Sequence, residues 1–181
     1  MTNPTVDRYR HASRLVMLFV TWFVPCTVLD LSITWIGVHH LSDRMAELGI
    51  VEANPFTDMS SVEAFVVPEI VTLVLGVAMV FGGGMMKTRR LVARGQCWAD
   101  LRSIGFRDFC KKYDGLSKLA SLLIIMPMII AIGRVKPVIN NALWLSLGWG
   151  LNALFGVFLT TILACVLAVY PAYYMIRKWT F

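Results

Sequence analysis

Two carboxylates fall inside stretches of sequence that are otherwise uncharged and largely apolar. Asp30 is the one charge between Leu15 and Val38, and Glu69 the one charge between Ala64 and Met86. An ionisable group within a membrane span is costly, so each is a functional hypothesis by default. Thr27, Asp30 and Thr34 are spaced i, i+3, i+7 and share one helix face; Glu69 and Thr72 repeat the i, i+3 spacing. Pro25 and Pro68 each free a backbone carbonyl one turn earlier. Between the two stretches lies a polar turn, Glu52-x-Asn54-Pro55. If it folds back over the helix ends, Asp30, Thr34, Glu52, Asn54, Glu69 and Thr72 form a set of hard oxygen ligands. Such a set suits a divalent cation, Mg²⁺, Ca²⁺ or Mn²⁺, better than zinc. His39, at i, i+4 with Asp43, would add an imidazole and move the preference toward a transition metal. A structural alternative stands beside each group. Asp30 can hydrogen-bond Thr34 and a neighbouring helix, and Glu69 can do the same or pair with Arg134 or Lys136, as polar glue between spans.

The elements that must position these groups follow from composition. The chain has 181 residues, 57% of them hydrophobic and 15% charged, with mean hydropathy +0.68. Soluble domains carry about 25% charged residues, so the class expected is an all-α polytopic membrane protein. A spanning helix needs roughly 20 apolar residues. Four stretches qualify, at 15–38, 64–86, 116–133 and 151–175, and make 1–181 a single membrane domain with a four-helix bundle. Basic Arg8, Arg10 and Arg14 before the first stretch imitate a signal peptide, but no small-residue cleavage site follows, so an uncleaved helix is expected.

Orientation follows from the basic residues. Fourteen of the 17 Lys and Arg fall in the N-terminal tail, the 87–118 connection and the C-terminal tail. Both termini and that connection are therefore expected in the cytoplasm, facing an anionic inner leaflet of a bacterial-type inner membrane. The first outer connection is acidic, with Asp43, Glu47, Glu52, Asp58 and Glu63. With this topology Asp30 lies about 12 Å and Glu69 about 8 Å below the same outer surface.

The long basic connection reads as a cytoplasmic interfacial helix. Trp98, Leu101, Phe109, Tyr113 and Leu116 recur near helical spacing with basic residues between them. Arg89, Arg90, Arg94, Trp98, Arg102, Arg107, Lys111 and Lys112 are the expected membrane-surface residues. No nucleic-acid-binding motif is present, and the net +6 reads as a topology signal. Cys26 and Cys165 lie in spans and Cys97 and Cys110 in the cytoplasmic connection, so no disulfide is expected. On the outer side, 140–147 predicts a short helix started and capped by Asn140-Asn141. Gly82-Gly83-Gly84 predicts close helix approach rather than phosphate binding.

The intramembrane Asp-x-x-x-Thr of Asp30 to Thr34, followed by the Glu-x-Asn-Pro turn of Glu52 to Pro55, resembles a family of small prokaryotic four-span membrane proteins of unknown function. The resemblance covers roughly the first 85 residues. The chain departs from it in the Ser42–Leu48 insertion and the long basic connection. The resemblance implies a four-helix bundle with an outer polar cluster, and no reaction. Two function classes compete. One is a structural or accessory subunit of a larger membrane assembly, with other membrane subunits as partners. The other is a cation-dependent membrane enzyme, or a small carrier or channel, built on Asp30, Glu52 and Glu69. No Ser-His-Asp set, P-loop, Rossmann fingerprint or HExxH is present, which disfavours the common soluble enzyme classes.

Overall fold

The computed structural model describes residues 4–40, 62–98, 115–147 and 151–179, which are almost entirely helical. In chain order the helices are α1 (Pro4–His40), α2 (Val62–Ala93), α3 (Gly115–Gly133), α4 (Val135–Leu147), α5 (Leu151–Phe155) and α6 (Val157–Trp179). Four stretches are long and apolar enough to cross a membrane: Tyr9–Ile36, Val66–Ala93, Lys118–Leu147 and Val157–Lys178. Residues 41–61 and most of the connection that holds the expected interfacial helix lie outside the described residues.

The breaks between helices have local causes. Pro137 has no N–H to bond the carbonyl of Gly133, and its ring crowds that carbonyl, so α3 ends at Gly133 and α4 begins at Val135. Pro137 itself sits in the first turn of α4, where a proline is tolerated. The fourth apolar stretch is interrupted at Gly156, whose φ of +73° is a left-handed conformation natural to glycine. The sequence pattern predicts one uninterrupted span over 151–175 and an outer helix that starts at Asn140. That helix in fact begins at Val135, and Asn140 and Asn141 lie inside it rather than capping it. Pro25, Pro68, Pro127 and Pro171 all sit within spanning helices. One of the polar groups near these prolines is reused: the Thr72 hydroxyl donates to the Pro68 carbonyl at 2.8 Å.

Successive spans run antiparallel. Gly84 of α2 backs onto Ala12 of α1, and Gly83 backs onto Ala120 of α3. At the far end of the same helices Glu69, Arg134 and Asp30 meet. α1 packs along α2 and α3, and α6 packs chiefly on α3. The core holds Leu15, Leu18, Phe19 and Phe23 of α1, Val80 of α2, Ile124 and Met128 of α3 and Ala172 and Ile176 of α6. The outward faces are as apolar as this core. Phe158 is 80% exposed, Tyr170 73% and Leu167 64%. An aqueous protein does not leave contiguous apolar surface on this scale uncovered, and a bilayer covers it.

Since lipid is as apolar as the helix surfaces, close packing depends on small residues rather than on hydrophobic burial. A Cβ on Gly83 would stand 2.9 Å from both the Ala120 carbonyl oxygen and the Leu123 Cβ, and one on Gly84 would stand 3.0 Å from the Ala12 Cα. Gly82 has nothing within 4 Å. The expected close approach therefore belongs to Gly83 and Gly84. Gly83→Leu should lower the unfolding midpoint in detergent by an amount equivalent to about 1–3 kcal/mol, the usual cost of overpacking. Gly82→Ala should be neutral or stabilising by up to about 1 kcal/mol, from helix propensity. Circular-dichroism melts of the two variants beside the parent chain check both.

Candidate functional site

The break after Gly133 leaves Arg134 at the joint of α3 and α4, pointing toward α1 and α2. Its guanidinium grips Glu69 with both arms, Nη1 to Oε1 at 2.8 Å and Nη2 to Oε2 at 2.5 Å. Asp30 Oδ2 stands 4.0 Å from Arg134 Nη1. The three side chains are largely shielded, with 20% of Arg134, 15% of Asp30 and 10% of Glu69 exposed. The guanidinium also lies over the ring of Phe23, 5.3 Å from its centroid, and gains a cation–π contact there. A planar fork on a carboxylate is the geometry that arginine, and not lysine, supplies.

The polar contacts continue from Asp30 across the bundle. Asn141 Nδ2 donates to Asp30 Oδ1 and to Thr34 Oγ1, both at 2.9 Å. Asn140 Nδ2 donates to Asn141 Oδ1 at 3.3 Å. The Asn152 backbone N–H donates to Asn140 Oδ1 at 3.0 Å, and the Thr160 hydroxyl donates to Asn152 Oδ1 at 2.8 Å. One chain of contacts thus ties α2, α3, α1, α4, α5 and α6 together. Thr27 shares the Asp30 face, is buried, and its hydroxyl bonds to nothing among the described residues.

A second polar layer lies at the other end. Lys87 is fully buried, and its Nζ donates to Ser121 Oγ at 2.8 Å. Trp98 Nε1 donates to Thr88 Oγ1 at 2.8 Å, and the Trp98 ring stacks on His11 at 5.4 Å. Glu69 and Lys87 are 18 residues apart on α2. Eighteen residues make five full turns and about 27 Å of rise. Both side chains therefore face the bundle, and the layers are separated by about the thickness of a hydrocarbon core.

The sequence-predicted residues divide clearly. Asp30, Thr34 and Glu69 come together, as their shared depth implied. The group placed between the carboxylates is the Arg134 guanidinium, which realises the structural alternative for Glu69. Thr72 turns back to its own helix. His39 lies in the last turn of α1, and Glu52 and Asn54 fall outside the described residues. Among the described residues no three His, Cys, Asp or Glu side chains lie together as metal ligands. No protein-family model, curated protein or solved structure matches this chain.

The expected membrane-surface residues divide too. Arg89 and Arg94 are exposed, and Arg90 is half-buried. Trp98 is not on that surface: it is 3% exposed, because its indole N–H finds an acceptor on α2 and its ring finds His11. Arg102, Arg107, Lys111 and Lys112 lie outside the described residues. Cys26, Cys97 and Cys165 are not in disulfides. Sequence reasoning missed Asn140, Asn141 and Asn152 as members of the network. Three asparagines within 13 residues of an apolar stretch were the available signal.

Removing Arg134 strands the Glu69 charge in an apolar surround. Arg134→Met should cost about 3–5 kcal/mol, the range for breaking one side of a buried pair. The double variant Arg134→Met/Glu69→Met should recover most of that loss, and Arg134→Lys only part, since the fork is lost. Denaturant or thermal unfolding of the purified chain in one detergent measures all three.

Proposed function

We propose that this chain is a structural or accessory subunit of a membrane assembly, a scaffold helix bundle rather than a catalyst or carrier. The observation that carries the reading is the occupation of both intramembrane carboxylates by the protein's own donors. Glu69 is bridged by Arg134, and Asp30 is held by Asn141 with Arg134 nearby. Those donors hold the positions in which a bound cation would sit between the two carboxylates. From the same donors the chain of contacts runs on through Asn140 and Asn152 to α5 and α6, so that every described helix is joined, which is the work of a scaffold. The apolar faces of α2 and α6 then serve as contact surface for lipid and for the other membrane subunits.

In this reading the Lys87 end faces the cytoplasm of a bacterial-type inner membrane, with both termini on that side. The gathering of basic groups at that end supports it: Arg10 and Arg14 of α1, Arg89 and Arg90 of α2, Lys118 of α3, and Arg177 and Lys178 of α6. The residues around Arg94 rest on the anionic leaflet, with Trp98 serving as an anchor inside the bundle rather than on the lipid.

Extraction from native membranes in a mild detergent should recover the chain with companions at fixed stoichiometry. Added Mg²⁺, Ca²⁺ or Mn²⁺ should leave its melting midpoint unchanged, because a ligand stabilises only the state that binds it. A midpoint raised by one of these ions in the parent chain, and not in Asp30→Asn, would overturn the proposal and favour the cation-dependent enzyme or carrier. Recovery as a lone chain without companions would count equally against it.

A further inference from the structure

Arg134 sits at the joint before α4 and Lys136 in the first turn of α4, and their side chains turn to different neighbours. Arg134 turns to the carboxylates on α1 and α2. Lys136 turns the other way, toward α6, where its Nζ lies 3.4 Å from Thr161 Oγ1. That hydroxyl donates its proton to the Val157 carbonyl at 2.7 Å, so toward Lys136 it can only accept. An ammonium has three donors and this one has a single long bond. No carboxylate among the described residues forms an ion pair with it; the intramembrane carboxylates pair with Arg134. Lys136 is half-buried, and Thr161 is exposed on the outward side of α6. The cation therefore opens toward the lipid, on a helix otherwise faced with Phe158, Leu159 and Ile162.

Its depth suits a headgroup. The polar layer of Glu69 and Arg134 lies toward the outer end of the apolar stretches, and Lys136 follows it in the first turn of α4. A lysine at this depth extends its stem to bring the ammonium to the level of the lipid phosphates. We propose that Lys136, its ammonium held beside the Thr161 hydroxyl, forms a binding notch for the phosphate of an anionic phospholipid, in the leaflet at the Arg134 end. Among the described residues no carboxylate stands at ion-pair distance from Lys136, with the Asp30 charge acting on it only from further off, and the lipid phosphate supplies the close counter-charge. The notch requires only that the bundle is membrane-inserted, and it is independent of orientation and of the subunit role.

The test is native mass spectrometry of the detergent-purified chain titrated with phosphatidylglycerol. Lys136→Gln should bind it about tenfold more weakly, the loss expected for one charge-assisted contact. Lys178→Gln, an exposed cation at the opposite end of α6, should bind as the parent does. Thr161→Glu, at an exposed position, sets a carboxylate beside the ammonium and should weaken binding as much as Lys136→Gln, which keeps the test open if that variant does not fold. Unchanged retention in Lys136→Gln or in Thr161→Glu overturns the proposal. Equal loss in Lys178→Gln overturns it as well, by reducing it to bulk charge. Displacement of the lipid by inorganic phosphate would reassign the notch to a free anion.

Discussion

The bundle depends on a single cation held between two helices in an apolar surround. Within a bilayer there is no hydrophobic gain from bringing one apolar helix against another, since lipid already covers each. A charge without a partner is costly there, and so is its partner alone. The Arg134–Glu69 fork removes both costs at once, but only in one register of α2 against α3. Sliding α2 by one turn would separate the two groups by about 5.4 Å and return both charges to hydrocarbon. The pair thus acts less as a source of net stability than as a penalty on every other arrangement.

The joint between α3 and α4 is what makes the fork reachable. A continuous helix would carry the 134 side chain at whatever angle its period dictated. Pro137 ends the regular run at Gly133, and Arg134 retains a backbone bond to the Ile130 carbonyl at 3.1 Å, so the joint is a local break rather than a loop. α4 then continues far enough to bring Asn141, seven residues on, to the level of Asp30 and Thr34. From there the asparagine chain reaches α5, and Gly156 lets α6 turn back beneath it. Polar side chains, which carry the only directional contacts available in this medium, do for the helices what a shared hydrophobic core does in water.

The four spans could be read from hydropathy because a bilayer imposes length and composition on each segment separately. The common depth of Asp30 and Glu69 followed from the same arithmetic. Their partner did not, because two candidates, Arg134 and Lys136, stood two residues apart. Only the rotation of α4 decides which one faces the carboxylates. Asn140 and Asn141 read as a cap because asparagine is a good cap in isolation. Pro137 had already started the helix, and the amide groups went to tertiary partners instead. Trp98 falls on the apolar stripe of its segment, but periodicity cannot distinguish a stripe that faces lipid from one that faces another helix. Thr88, an acceptor ten residues earlier, decided that. The glycines of α2 illustrate the same limit: the run predicted close approach, and the facing residues Ala12 and Ala120 determine that Gly83 and Gly84 make it while Gly82 does not.

The two polar layers together explain how a bundle with so little preference for its own surfaces keeps one alignment. Glu69 and Lys87 face inward five turns apart on α2, Lys87 meeting Ser121 on α3 and Glu69 meeting Arg134 just past its end. Each layer alone leaves α2 free to rotate or tilt about its single point of attachment. Two attachments on one face, separated by about the hydrocarbon thickness, fix translation, rotation and tilt together. The glycines lie between these points, nearer to Lys87, and set how closely the helices approach once the register is held. Charge therefore chooses the alignment and small residues set its closeness, while the apolar remainder of each helix faces the lipid.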